Sequence, residues 1–314
     1  MNRIVLAVGS ALLMAACATP QASVPAGPEI ALTIDDLPVH GPIPEGQTPM
    51  SVASGVIAAL NKAHVPAYGF VNAHWIVDQP GTLDVLKAWK SAGLGLGSHT
   101  WSHRHLSEMT AEEFDQELAR DEPVLQQLSG NADWRWFRYP FLDEGENAKK
   151  RADARKVLAR RGYKIAAVTM DFSDWAWTAP YARCSARNDA ASIARLEGMY
   201  LAAAREAIGW SRGLSQKLYG RDIPYVVLLH DSAFEARMLP KLIELYRSSG
   251  FRLVSLPDAE RDPYYADQVR PDLPAEPEGL DDKAAARSIP IPAIVDYSAA
   301  LDAICSGVAT STSP

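Results

Sequence analysis

The chain of 314 residues is 47% hydrophobic and 22% charged, and its 31 Lys and Arg stand against 38 Asp and Glu for a formal charge of −7. It is long enough for one large domain or at most two, and the balance is that of a globular enzyme, not of a disordered or fibrous chain. No basic run exceeds Lys149-Lys150-Arg151, which speaks against a basic groove, and no nucleic-acid partner is expected.

At the amino terminus, residues 1–16 read as an export signal. Arg3 precedes an almost wholly apolar run from Ile4 to Ala16 that is too short for a spanning helix. Leu13-Met14-Ala15-Ala16-Cys17 resembles a bacterial lipoprotein box, in which Cys17 takes the lipid and becomes the first mature residue. The Ala- and Pro-rich stretch 17–28 then reads as a tether. These features place the protein at the cell envelope, joined to the membrane only through that anchor, with release to the periplasm or outside as the alternative. Cys184 and Cys305 are left over; in an oxidising compartment they either bridge, pinning the C-terminal segment to the body, or stay separate.

The run Ile30-Ala31-Leu32-Thr33-Ile34 reads as a short buried strand, and Asp35-Asp36 follow at its carboxyl end. Two neighbouring buried anions are costly unless something positive lies against them. Met50 to Ala63 reads as a helix, Pro66 to Val71 as a second strand and Thr82 to Ala92 as a helix closed by Gly93. A third strand, Leu94 to Gly97, delivers His99, and its glycines call for close backbone approach. Thr110-Ala111-Glu112-Glu113 is a capping box that opens a helix to about Leu128. A fourth strand at Trp136-Phe137 delivers Arg138, a helix covers Asn147 to Arg161, and a fifth strand from Tyr163 to Thr169 delivers Asp171. After a polar loop come a helix from Ser192 to Trp210, a strand from Pro224 to Leu229, a helix from Ala233 to Ser248 and a strand from Phe251 to Leu256.

This alternation predicts an α/β fold, a distorted (β/α) barrel of about seven parallel strands, with one catalytic domain over residues 29–256. Polar groups at the strand ends place the site in the loops above the barrel. Residues 257–314 read as a C-terminal wrap or tail, rich in Pro, Asp and Glu as far as Pro290, with one short helix from Ile294 to Ile304.

His99 and His103 are four residues apart, and on a helical turn both imidazoles would point the same way, as two ligands of one metal must. Asp36 adds an oxygen, giving a His2Asp set with positions open for water and substrate. Such donors suit a divalent metal, Zn(II) first and also Co(II) or Mn(II). His105 fits this spacing worse and is expected to face solvent. His40, Asn72 and His74 read as loop hydrogen-bonders.

Five segments, taken in order, resemble the motifs of the polysaccharide deacetylase family, also called the NodB-homology or carbohydrate esterase family 4 group. They are Thr33-Ile34-Asp35-Asp36, His99 to His103, Arg138-Tyr139-Pro140-Phe141, Asp171 to Trp175 and Leu228-Leu229-His230, within about Ile30 to Leu256. The resemblance implies a metal-dependent hydrolase that removes acetyl groups from acetylated glycans or oligosaccharides. It implies Asp35 as catalytic base, Asp36, His99 and His103 as metal ligands, and Arg138 as the group that orients the base. It further implies the Phe141 backbone N–H as an oxyanion donor, His230 as general acid paired with Asp174, Trp175 as a wall of the groove and Leu228 as part of the acetyl pocket.

Amide hydrolysis needs an activated water, a sink for the oxyanion and a proton for the leaving nitrogen, and these residue types meet those needs. Arg138 beside Asp35 is expected to keep the carboxyl pKa low, and Asp174 to fix the His230 tautomer and favour the imidazolium. The family's usual turn carries Gly before the Pro; here Leu37-Pro38 stands instead, with a reshaped rim expected. Trp75, Trp101, Trp175, Trp177 and Tyr181 either stack on sugar faces or cap the core, and Ala176 to Asn188 is a candidate rim. Two other functions stay open on the sequence. One is hydrolysis of a non-sugar amide, another C–N bond or an ester; the other is a catalytically inactive glycan-binding lipoprotein, against which counts the presence of every candidate base, acid and ligand.

Overall fold

The computed structural model describes residues 27–79, 81–274 and 276–307. The export signal, Cys17, nearly all of the tether and residues 308–314 lie outside the described residues. In chain order β1 (Glu29–Leu37) leads to α1 (Pro49–Ala63), β2 (Tyr68–Val71), α2 (His74–Asp78) and α3 (Thr82–Ser91). Next come β3 (Gly95–Ser98) and α4 (Ala111–Ser129), β4 (Trp136–Phe137) and α5 (Ala148–Arg161), and β5 (Lys164–Ile165) with α6 (Thr178–Ala186) and α7 (Ala190–Tyr219). The chain closes with β6 (Tyr225–His230), α8 (Ala233–Ser248), β7 (Arg252–Leu253), α9 (Leu256–Ala259), α10 (Ala266–Val269), α11 (Leu280–Ala286) and α12 (Ser298–Ala303).

The seven strands form one parallel sheet in the order β5-β4-β3-β2-β1-β6, with β7 paired to the start of β1. Just past β5 the chain leaves β4 and crosses to β6, where Thr169 and Met170 donate to the Val226 carbonyl and Leu228 donates back to Met170. The sheet therefore curls on itself as the distorted (β/α) barrel expected from the alternation. This switch of partner is why the fifth strand is only Lys164–Ile165 and not the longer Tyr163 to Thr169 run. A parallel sheet covered by helices is buried on both faces. Accordingly Ile30 to Ile34 are fully buried, as is nearly all of β6. A Cβ on Gly95 would overlap the Tyr68 ring, the close approach that the glycines of this strand predict.

α4 starts at Thr110 with both bonds of its capping box to Glu113 formed. α7 runs past the predicted Trp210 end to Tyr219, because Ser211 and Ser215, fully buried, sit on its inner face and hide the apolar period. The expected polar loop before it contains α6. Trp177 and Tyr181 are buried there, packing near Tyr200 and Phe234, so both cap the core. Cys184 of α6 is bonded to Cys305, with Cα atoms 5.3 Å apart, which resolves the pairing the sequence left open. The C-terminal segment is a wrap with short helices of its own, anchored by buried Leu280, Ala284, Leu301 and Ile304.

Candidate active site

In a regular strand Asp35 and Asp36 would point to opposite faces. β1 is irregular between Ile34 and Leu37, and Asp36 takes φ 60, so both carboxylates line one cavity of about 270 Å³ at the carboxyl end of the sheet. His99, His103, Phe141, Trp175, Leu228 and His230 line the same cavity. Arg138 and Asp174 stand behind it, each holding one of the lining groups.

The loop after β3 carries the two histidines. It is a bend with Thr100 at φ 64 and His103 at φ 54, not a helical turn, so the four-residue spacing acts through a different geometry from the one predicted. His103 donates its N–H to Thr100 Oγ1 at 3.2 Å. Helix α4 supplies the anchors below: Asp121 accepts from Ser98 Oγ at 2.6 Å and from the Ala73 N–H, and Glu117 accepts both donors of Ser102. Buried Asn72 donates to the His99 and Thr100 carbonyls, the loop-bonding role expected of it. Left-handed backbone at Asp36, Thr100, His103, Phe141, Leu142 and Ser173 concentrates strain around this cavity.

His99 Nδ1–H donates to the Arg138 carbonyl at 2.8 Å, since a carbonyl only accepts, which leaves Nε2 with a free lone pair. That Nε2 is 3.5 Å from Asp36 Oδ1, and His103 Nε2 is 3.3 Å from the same oxygen. Asp36 Oδ1 is buried without a hydrogen-bond donor. Burial drives both imidazoles down to about 4, with His99 adding to the effect on His103. Burial alone would raise Asp36, but the His40 hydrogen bond and the charges of His230, His103 and His99 outweigh it and hold the carboxyl well below its ordinary range. Two neutral imidazoles facing an ionised, orphaned carboxylate oxygen are the donor set that a divalent cation takes.

Asp35 is almost fully buried and meets Arg138 Nη1 at 3.2 and 3.3 Å through its two oxygens. The Arg138 side chain is fixed throughout, with Nε on the Ala166 carbonyl at 2.7 Å, Nη2 on Thr33 Oγ1 and the guanidinium over the Phe70 ring. Contrary to the expectation of a low pKa, burial outweighs Arg138 and raises Asp35 to about 6. At the other side chain of the pair, Asp174 accepts from His230 Nδ1–H and from the His230 backbone N–H, both at 2.8 Å. Burial opposes a charge on His230, yet Asp174, followed by Asp36 and Asp35, raises it to about 10.

Other groups at the rim depart from the sequence reading. Leu37 is fully buried and fills the space left by the missing side chain of Gly69, so the Leu37-Pro38 turn packs the core and does not shape the rim. His40 makes the loop hydrogen bond expected of it, but within the cavity: it gives Nδ1–H to Asp36 Oδ2 at 2.6 Å and lies 4.8 Å, ring to ring, from His230. Nothing in its local sequence marks that contact, which depends on the turn after β1. His105 is half-buried, stacked on Phe141 at 3.8 Å and facing Asp143. His74 faces Asp78 outside the cavity. Tyr139 and Asp171 also line it, and Phe141 and Trp175 are the half-exposed aromatics at its mouth. Trp101 instead lies under Arg120.

The parallel α/β barrel thus brings an Arg-held Asp35, an Asp-held His230 and a His2Asp donor set together at its carboxyl end. Residues 23–166 match the family described as polysaccharide deacetylase. Among solved structures it is similar to the chitin deacetylase from the fungal pathogen Colletotrichum lindemuthianum, at 21% identity and TM-score 0.52 over 75% of this chain and 88% of that one. It is also similar to a CE4 family pseudoenzyme from Bacillus anthracis, at 16% identity and TM-score 0.53 over 75% of this chain and 66% of that one. A mutant of a pseudoenzyme of that family with restored enzymatic activity aligns at 17% identity and TM-score 0.51, over 75% and 68% of the two chains. These likenesses establish the fold.

Proposed function

We propose that this protein is a metal-dependent hydrolase that removes acetyl groups from N-acetylated glycans or oligosaccharides. The observation that carries the reading is the joint lining of one cavity by the Asp36–His99–His103 donor set, the Arg138-held Asp35 and the Asp174-held His230. Asp36 and the two histidines would hold the ion, Zn(II) in our reading, with Co(II) and Mn(II) as the other metals these donors accept. A divalent ion held there supplies Lewis acidity, making water more acidic and drawing charge onto the acetyl oxygen.

Asp35 takes the proton of the attacking water, and Arg138 keeps its oxygens aimed into the cavity. The Phe141 N–H would donate to the oxygen on which negative charge grows. His230, protonated and oriented by Asp174, gives its proton to the departing nitrogen. Leu228 bounds the space for the acetyl methyl, and Trp175 offers its exposed face to a sugar ring. Export and a lipid anchor at Cys17, which would put these sugars within reach at the cell envelope, belong to the same proposal. No helix among the described residues is long and apolar enough to cross a membrane.

The test is acetate release from chitooligosaccharides, peptidoglycan fragments, acetylxylan and non-sugar amides, before and after chelation and Zn(II) return. Release from N-acetylated oligosaccharides that chelation abolishes is expected, with Trp175→Ala lowering kcat/KM for sugars more than for a small aryl acetate. Preference for a non-sugar amide without that selective penalty would overturn the carbohydrate reading. No turnover at full metal occupancy would leave a binding module.

A further inference from the structure

Beside the catalytic cavity lies a second one, of about 380 Å³, within the range of small-ligand clefts. The two share Leu142, Asp171 and Trp175, so they adjoin at those side chains, within reach of one extended molecule. One wall is the segment after β5, another is α7, and the third is the C-terminal wrap at residues 279–281 and 294–301.

That third wall is fastened in place. Trp210 Nε1–H donates to the Pro292 carbonyl at 3.0 Å, Tyr297 Oη to Glu206 at 3.0 Å, and Arg183 to the Leu301 carbonyl at 2.8 Å, while Cys305 is bonded to Cys184. The lining has two characters. Trp175, Trp210 and Tyr297 give aromatic surface, and the Trp177 indole N–H, in the same wall, is buried without an acceptor. Asp171, Glu206, Asp281 and Asp296 give carboxylates, none of them in an ion pair, and among the described residues no Lys, Arg or His lines the cavity.

Aromatic faces and uncompensated carboxylates together fit a cation carried on a ring with an apolar face and hydroxyl groups. Continuity with the catalytic cavity requires that this ring be joined to the sugar being deacetylated. Hydrolysis of an acetamide on a sugar leaves a primary amine that takes up a proton near neutral pH, so the reaction makes such a ring. We infer that this groove binds a free-amine hexosamine unit adjoining the N-acetylated unit under attack, so that partly deacetylated oligosaccharides are the preferred substrates. The inference rests on the deacetylase reading above.

The test compares kcat/KM for fully acetylated chitotetraose and a singly deacetylated tetramer, together with calorimetric binding of the glucosamine tetramer. Wild-type protein and the Glu206→Gln/Asp296→Asn double variant are used. Those exchanges remove charge but keep the oxygens that accept from Tyr297 and from the Ser298 N–H. The expected result is binding of the glucosamine tetramer, a higher kcat/KM for the singly deacetylated tetramer, and a loss of roughly tenfold for that substrate alone in the variant. Equal kcat/KM for the two substrates, or an equal loss on both, overturns the inference while acetate release keeps the deacetylase reading standing. No acetate from either tetramer, with the glucosamine tetramer still bound, overturns that reading and supports the groove. Tetralysine bound as tightly as the glucosamine tetramer overturns the assignment to a sugar.

Discussion

His99 and His103 share a cavity with His230, yet burial takes the first two down to about 4, while His230, more buried than His103, is raised to about 10. The difference lies in the second partner of each ring. His99 turns Nδ1 to a neutral carbonyl and shares the single oxygen Asp36 Oδ1 with His103, whereas His230 gives Nδ1–H to Asp174. The same side chain is thereby kept neutral, as a ligand must be, in one corner and charged, as an acid must be, in the other. Hydrolysis of an amide at neutral pH asks for both states at once.

Removing a donor from the neutral corner should have the largest effect. Purified His103→Ala is expected to lose its metal and its turnover together, while His105→Ala keeps most of both; elemental analysis of the two variants decides it, and equal loss in both would refute the ligand assignment. Next comes the base. Asp35→Asn should stay folded and metal-loaded with turnover lower by about 10²-fold or more, and near wild-type turnover would mean that water is activated by another group.

The charged corner is sharpened by Asp174→Asn. The proposed mechanism needs Asp35 ionised and His230 protonated, so activity should rise with pH through the Asp35 value of about 6 and fall through the His230 value of about 10. Without the Asp174 charge the upper limb should move toward neutrality and the lower limb stay near its place, read from kcat/KM against pH. An upper limb that does not move would assign it to a group other than His230. The smallest effect is expected at His40, which restrains the outer oxygen of Asp36. His40→Ala should weaken Zn(II) binding by roughly 10-fold or more, the usual worth of a group that orients a ligand, with chelator competition as the measurement. Unchanged affinity would make that contact structural only.

Much of this cavity was legible because its groups follow apolar strand runs: Asp35 and Asp36 after β1, His99 after β3, Arg138 after β4 and His230 at the end of β6. A strand end tells where a side chain arrives but not how the chain turns afterwards. Asp and His enter the left-handed region more readily than most residues, but the sequence does not say where they do so, and the helical turn that would suit the histidine spacing is not the geometry the loop takes. His40 is the loop hydrogen-bonder expected of it, but the turn after β1 decides that its partner is Asp36. Glu117 and Asp121 look like the solvated face of α4, yet both are buried and tie down the histidine loop. Asp35 shows a limit of another kind: Arg138 was foreseen, but the weight of burial against it depends on the depth of the site.

The most direct test of the division within the cavity is an NMR titration of the histidine rings in the metal-free protein, assigned with His99→Gln, His103→Gln and His230→Gln variants. The account predicts that the His99 and His103 rings stay neutral down to about pH 4, while the His230 ring stays protonated up to about pH 10. Three rings titrating together near the ordinary value of about 6.5 would contradict it.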